Sequence, residues 1–132
     1  MKIGITFGAF DLLHTGHLLM LKEAKEHCDT LIVGLHINPK KERKDKNEPI
    51  ESVFERYIRL KSCQYVDEII PYETEDELIT ILEMVKPHIR FLDVNYKDKE
   101  YTGHYLNIPV HYNERNHGYS STNLRERVCK SQ

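Results

Sequence analysis

The chain has 132 residues, room for one hydrophobic core, which excludes separate catalytic and substrate domains. Hydrophobic residues at 39% and charged residues at 30% mark a chain that folds rather than a disordered one. With 19 Lys and Arg against 21 Asp and Glu it has no global attraction for nucleic acid or anionic membrane, so any polyanion has to be held by locally placed groups. Cys28, Cys63 and Cys129 lie far apart without a CxxC pair and read as free thiols of a cytoplasmic protein, not as a disulfide framework or zinc knuckle. The first apolar run breaks at Asp11, too early for a signal peptide, and no uncharged apolar run approaches the ~20 residues of a membrane span.

Apolar runs rich in β-branched residues alternate with helix-period stretches, the pattern of βα units around a parallel sheet. Lys2 to Phe7 reads as a strand, then comes a turn, then a helix from Gly16 to His27 with Leu18, Leu21 and Ala24 on one face. Thr30 to His36 is a second strand, apolar toward both faces, as a strand covered by helices on both sides requires. A polar loop from Lys40 to Lys46 is closed by Pro49, and Ser52 with Glu55 has capping-box spacing for a helix ending near Ser62. Val66 to Pro71 is a third strand. Thr74 and Glu77 repeat the capping-box spacing ahead of a helix ended by Pro87. Ile89 to Leu92 and Val110 to Tyr112 are the fourth and fifth strands, Arg115 to Ser120 is a loop, and a last helix runs from Ser121 to about Lys130. The expectation is one α/β domain over residues 1–132, a parallel five-stranded sheet with helices on both faces.

The stretch from Gly8 to His17 joins the first strand to the first helix, the place where an open parallel sheet binds its ligand. Gly8 lets backbone approach a ligand, and the helix start supplies unpaired N–H groups and the positive end of a dipole, both suited to phosphate. His14 and His17, three apart, face the same way and would donate to phosphate oxygens. A zinc pair is the weaker reading, since spacing identifies no third ligand, and His27 and His88 look like surface residues. Neither a P-loop nor a dinucleotide fingerprint fits Gly8 and Gly16.

The stretch from Ile5 to His17 resembles the signature of the HxGH nucleotidyltransferases, and its Phe-Asp-Leu-Leu-His form most resembles the small cytidylyltransferases that act on glycerol 3-phosphate. The resemblance spans nearly the whole chain. It includes Glu55-Arg56, the strand from Tyr65 to Pro71, and Arg115 to Thr122, which is similar to the family's Arg-Thr-Glu-Gly-Ile-Ser-Thr-Thr motif. It implies a Rossmann-like fold and an enzyme that transfers CMP from CTP to a small phosphorylated alcohol with release of pyrophosphate. On that resemblance His14, His17, Lys46 and Arg115 would be catalytic, with Lys44 the second choice of loop lysine. Phe7, Gly8, Ala9, Phe10, Asp11, Gly16, Ser120, Ser121 and Thr122 would bind the nucleotide, while Arg56, Asn95 and Tyr96 would meet acceptor or base. It further implies Mg2+ carried with the triphosphate, no metal held by the protein alone, no nucleic-acid or membrane partner, and a homodimer.

For several of these residues a plainer reading stands alongside. The Lys40 to Lys46 run could be a solvated charge run, Arg56 an exposed helix charge, and Asp11 a cap on backbone N–H groups ahead of the helix. The chain departs from the family at Ala9, where threonine is usual, at Leu92 to Tyr96, where a Gly-Asp-Asp-Trp-like segment is usual, and at Gln64, where arginine is frequent. Ser120-Ser121-Thr122-Asn123-Leu124-Arg125 also resembles the Ser-Ser-Thr-x-x-Arg ending of the ATP-using branch. An adenylyltransferase and a nucleotide-binding module without turnover are therefore the alternatives.

Overall fold

The computed structural model describes residues 1–114 and 117–131. Five parallel strands, β1 (Ile3–Gly8), β2 (Thr30–His36), β3 (Glu68–Tyr72), β4 (Ile89–Asp93) and β5 (Val110–Asn113), lie in the order β3-β2-β1-β4-β5. Four helices connect or follow them: α1 (Thr15–Glu26), α2 (Val53–Lys61), α3 (Glu75–Val85) and α4 (Ser121–Lys130). This is the expected Rossmann-like α/β arrangement, with the strand order reversing between β1 and β4. Three short 3-10 turns, Pro39–Lys41, Val94–Tyr96 and His104–Leu106, interrupt loops that the sequence pattern leaves without structure.

β2 explains the two-layered core. Leu31, Val33 and Leu35 point to one face, where Leu21 and Ala24 of α1 and Leu60 of α2 cover them. Ile32 points to the other, against Ile5, Tyr72 and the α3 residues Leu78 and Leu82. Burying a Leu or Ile side chain contributes about 1.5–3 kcal/mol, so these two clusters are the main favourable term in folding. Leu18, expected on the buried face of α1, is instead 39% exposed, and the buried residues of the helix are Gly16, Leu21 and Ala24. α4 contributes no buried residue to either cluster. Its attachment is polar.

The capping boxes at α2 and α3 form as their spacing requires. Ser52 Oγ accepts from the Glu55 N–H while Glu55 reaches back to the Ser52 N–H, and Thr74 and Glu77 do the same. At the switch point the sheet splays. β1 pairs with β2 over six positions but with β4 only at Gly4↔Ile89 and Ile5↔Arg90, so the carboxyl ends of β1 and β4 part and leave a crevice. No helix among the described residues is long and apolar enough to cross a membrane.

Candidate active site

Two cavities open at the carboxyl ends of the strands, of about 490 and 230 Å³. They meet at Met20, Asp93 and Asn113, which line both. The smaller one lies between the starts of α1 and α4 and is lined by His14, Gly16, His17, Ser120 and Ser121. Helices α2 and α3 carry acidic residues in their first turns, whereas α1 and α4 carry none. The two helices whose N-termini face this cavity therefore bring no acid of their own to their positive dipole ends, and the acids there are Asp93 and Glu114 on the cavity wall.

The histidines do at α1 what Ser and Glu do at α2. His14 is the N-cap: its Nδ1 accepts from the Gly16 N–H at 3.0 Å, and His17 Nδ1 accepts from the His14 N–H at 3.2 Å. A nitrogen that accepts from a backbone N–H carries no proton, so each neutral ring holds its proton on Nε2. The rings stack with centroids 3.9 Å apart and 28° between planes. His14 Nε2–H is directed to Ser121 Oγ, 3.2 Å away, which ties the start of α1 to the start of α4. Gly16 is required here, because a Cβ would sit 2.8 Å from the His14 ring and 2.9 Å from the Tyr119 carbonyl.

The turn between β1 and α1 is held from below. Phe10 and Leu12 both adopt positive φ, 51° and 52°, a conformation costly for residues with a Cβ. Arg56, read from sequence as an exposed charge or an acceptor contact, is 2% exposed and lines neither cavity. Its guanidinium donates to the carbonyls of Ala9, His36, Ile37 and Glu51, binding the turn to the end of β2 and the entry of α2. Its reach from one helix to four carbonyls makes it a positioning residue. Asp11 does cap backbone N–H groups, but those of Ile50 and Glu51 ahead of α2, not of α1, and its carboxylate also meets Arg125 of α4 at 3.3 Å. Buried Glu51 accepts from the Leu12 N–H and pairs with Arg59.

Of the remaining expected residues, Phe7, Gly8 and Ala9 line the larger cavity, as does Tyr96. Phe10 packs in the core with its ring 5.5 Å from His17. Thr122 and Asn95 are exposed and line neither cavity. Lys46 lines the larger cavity and not the one that holds His14, while Lys44 lines neither. Arg115 lies outside the described residues.

Sequence reading missed four residues that the cavities use. Asp93 and Asn113, at the ends of β4 and β5, stand at the junction, and the Asn113 Oδ1 is buried without a hydrogen-bond partner among the described residues. Their position at strand carboxyl ends was the signal available. Arg43 reaches over the larger cavity and pairs with Glu75 at 2.8 Å. Arg90, 4% exposed, lies between the rings of Phe7 and Tyr101, 5.1 and 5.0 Å from their centroids. Beside it Tyr72 stacks on His36, and burial pushes the His36 imidazole below its usual range and the Tyr72 phenol above its own.

The Rossmann-type sheet, split at its switch point, thus sets a pair of imidazoles between two helix N-termini. The cytidylyltransferase-like family model matches residues 5–127, and the chain belongs to that family. It is 33% identical over 128 residues to bifunctional protein HldE of Campylobacter jejuni strain RM1221, and 37% identical over 131 residues to HldE of Helicobacter pylori strain HPAG1. Those matches cover 96% and 98% of this chain but 28% of each relative, so the chain spans about 28% of the length of the curated relatives it matches. Among solved structures, a lipopolysaccharide core biosynthesis protein from Thermoplasma volcanium superposes with a TM-score of 0.63 at 23% identity, covering 99% of this chain and 88% of that one. A bifunctional NMN adenylyltransferase/ADP ribose pyrophosphatase from Francisella tularensis gives 0.67 at 16% identity, covering 99% and 42%. At these identities the two share the fold.

Proposed function

We propose that the chain transfers a nucleotidyl group from a nucleoside triphosphate to a small phosphorylated alcohol and releases pyrophosphate. The observation that carries this is the pair of stacked histidines whose Nδ1 atoms are both occupied by backbone N–H groups, so that both Nε2–H donors are fixed before substrate arrives. The triphosphate, with its Mg2+ as part of the substrate, is assigned to the smaller cavity, and the nucleoside and the acceptor to the larger, whose wall includes Phe7, Gly8 and Ala9. An acceptor phosphate oxygen attacks the α-phosphorus in line, the bond from α-phosphorus to the bridging oxygen breaks, and pyrophosphate leaves. His14 and His17 donate to the non-bridging and leaving oxygens as charge grows there, and neither has to take a proton. Ser120, Ser121 and the first N–H groups of α4 receive the outer phosphates. Lys46 and Arg43, at the mouth of the larger cavity, are assigned to the acceptor side.

CTP is the donor that the form of the first motif favours. ATP is the second reading, favoured by Arg125 in the Ser-Ser-Thr-x-x-Arg ending and by fold neighbours described in complex with AMP and with an ATP analogue. The deciding experiment is pyrophosphate release with CTP and with ATP against a panel of phosphate esters, for wild type and for His14→Ala and His17→Ala. Loss of each fixed donor is expected to lower the rate by at least ~100-fold. Full activity in both variants would overturn the assignment, and turnover with ATP alone would remove the cytidylyl reading.

A further inference from the structure

Asn113 ends β5 with a polar side chain that the packing of the strand does not call for. Side chains two apart on a strand share a face, so Asn113 stands with His111 on the side of the sheet where Glu23 of α1 meets His111. It is 4% exposed, and asparagine is neither a good strand former nor a common buried residue. Its Oδ1 is buried with no hydrogen-bond partner among the described residues. A buried amide oxygen left unpaired costs stability, a cost that a leucine of similar volume would avoid. What distinguishes the position is its place: with Met20 and Asp93 it lines both cavities.

The amide oxygen needs a hydrogen to accept, and the oxygens of an ionised phosphate carry none. The acids beside it, Asp93 across the β4–β5 register and Glu114 next in the chain, also disfavour phosphate at this end of the wall. The group that meets Asn113 is therefore an O–H or an N–H. With the α-phosphate at the histidines and the nucleoside in the larger cavity, the sugar, joined to that phosphate through a single methylene, has to pass the junction. The acceptor brings its phosphate end there. The nucleoside is what carries hydrogen-bond donors to the junction: the ribose hydroxyls, and the exocyclic amine that cytosine and adenine share.

We propose that Asn113 reads the nucleoside of the donor nucleotide, its Oδ1 accepting a hydrogen bond from a ribose hydroxyl or from the exocyclic amine of the base. This rests on the nucleotidyl-transfer reading of the two cavities. It also accounts for the unpaired oxygen, since a bond completed by substrate exchanges folding stability for selectivity.

The test uses the full chain and calorimetric titration, which needs no acceptor. CTP and ATP are each compared with their 2′-deoxy and 3′-deoxy forms, and with UTP and ITP respectively, which put a carbonyl where the amine stands. Wild type, Asn113→Leu and Asn113→Asp are titrated. Wild type is expected to bind CTP or ATP about tenfold or more tighter than at least one of its analogues, and the weakened analogue identifies the group: a deoxy form the ribose, the keto form the base. In Asn113→Leu that ratio is expected to fall toward one, whereas Asn113→Asp keeps the accepting oxygen and most of the ratio. Without nucleotide, the Tm of Asn113→Leu is expected to equal or exceed that of wild type, because leucine leaves no oxygen unpaired. A lower Tm with an unchanged ratio means that the oxygen serves a bound water only, and overturns the proposal. No preference in wild type, or an aspartate variant as unselective as the leucine one, overturns it too. Pyrophosphate release against the panel of phosphate esters scores the transfer reading separately. Selectivity that depends on Asn113 without pyrophosphate from any acceptor overturns transfer and sustains the nucleoside site; pyrophosphate release with an unchanged ratio in Asn113→Leu does the reverse.

Discussion

Replacing Arg56 by methionine tests whether the catalytic turn is held from beneath. The guanidinium makes four hydrogen bonds to carbonyls of Ala9, His36, Ile37 and Glu51, with oxygens 2.6 to 3.2 Å away. Hydrogen bonds to a charged donor contribute about 1.5–3 kcal/mol each, a gross loss of at least ~6 kcal/mol. Removing the charge also relieves a desolvation cost of several kcal/mol, felt here as a guanidinium pKa pulled down by burial although Asp11 and Glu51 oppose it. Methionine refills the volume of the stem but leaves the carbonyls unpaired, and the net cost is about 3–5 kcal/mol. At about 2.1 cal/mol/K per residue, a chain of this length has an unfolding entropy near ~0.28 kcal/mol/K, so Tm should fall by roughly 10–18 °C. Urea and thermal unfolding measure this directly. Arg56→Lys, which retains the charge but lacks the planar fork, should fall between the two. A loss below about 1 kcal/mol in Arg56→Met, or a lysine variant as stable as wild type, would refute the reasoning.

Three further outcomes are expected. Gly16→Ala should lower kcat by about tenfold or more, because its Cβ displaces the His14 ring or the Tyr119 carbonyl, and turnover assays against unfolding curves separate this from destabilisation. Gly34→Ala should destabilise the sheet by about 1–3 kcal/mol, since the Phe7 ring lies across the glycine and a methyl would collide with it, which urea titration measures. At Asp67 burial acts to raise the carboxyl pKa, but the Lys25 ammonium and the Leu31 N–H outweigh it and hold the value below the ordinary range. Its stabilising effect is thus present above the unfolded carboxylate pKa and is lost as pH falls through the lower folded value. Asp67→Asn should cost about 1 kcal/mol at pH 7 after allowance for its exposed position, a cost that shrinks as pH falls through the carboxylate range, and a pH-independent difference would contradict the sign.

The elements were legible where local chemistry decides them. β2 and α4 have the bounds read from the sequence, β2 because its run is apolar toward both faces and α4 because Ser120 caps it through the Asn123 N–H. The two histidines around Gly16 were legible as a pair facing the same way at the start of α1, and the structure stacks them there. Arg56 and Arg90 were not. A buried arginine looks in sequence like any other charge, since what buries it is a set of carbonyls or rings from distant segments: Ala9 and Ile37 for one, Phe7 and Tyr101 for the other. Lys46 was placed by motif distance along the chain, whereas the pairing of Arg43 with Glu75 at the start of α3 fixes that loop over the larger cavity.

The left-handed residues Phe10 and Leu12 also set an order of assembly. Each costs on the order of 1–2 kcal/mol in that conformation, and the contacts that hold them come from Glu51 and Arg56, about forty residues later in the chain. During synthesis the turn between β1 and α1 therefore lacks these contacts until Glu51 and Arg56 have emerged. The turn can therefore take its native shape once residues 51–56 have joined it, before β3 to α4 are made, while its contact between Asp11 and Arg125 waits for α4.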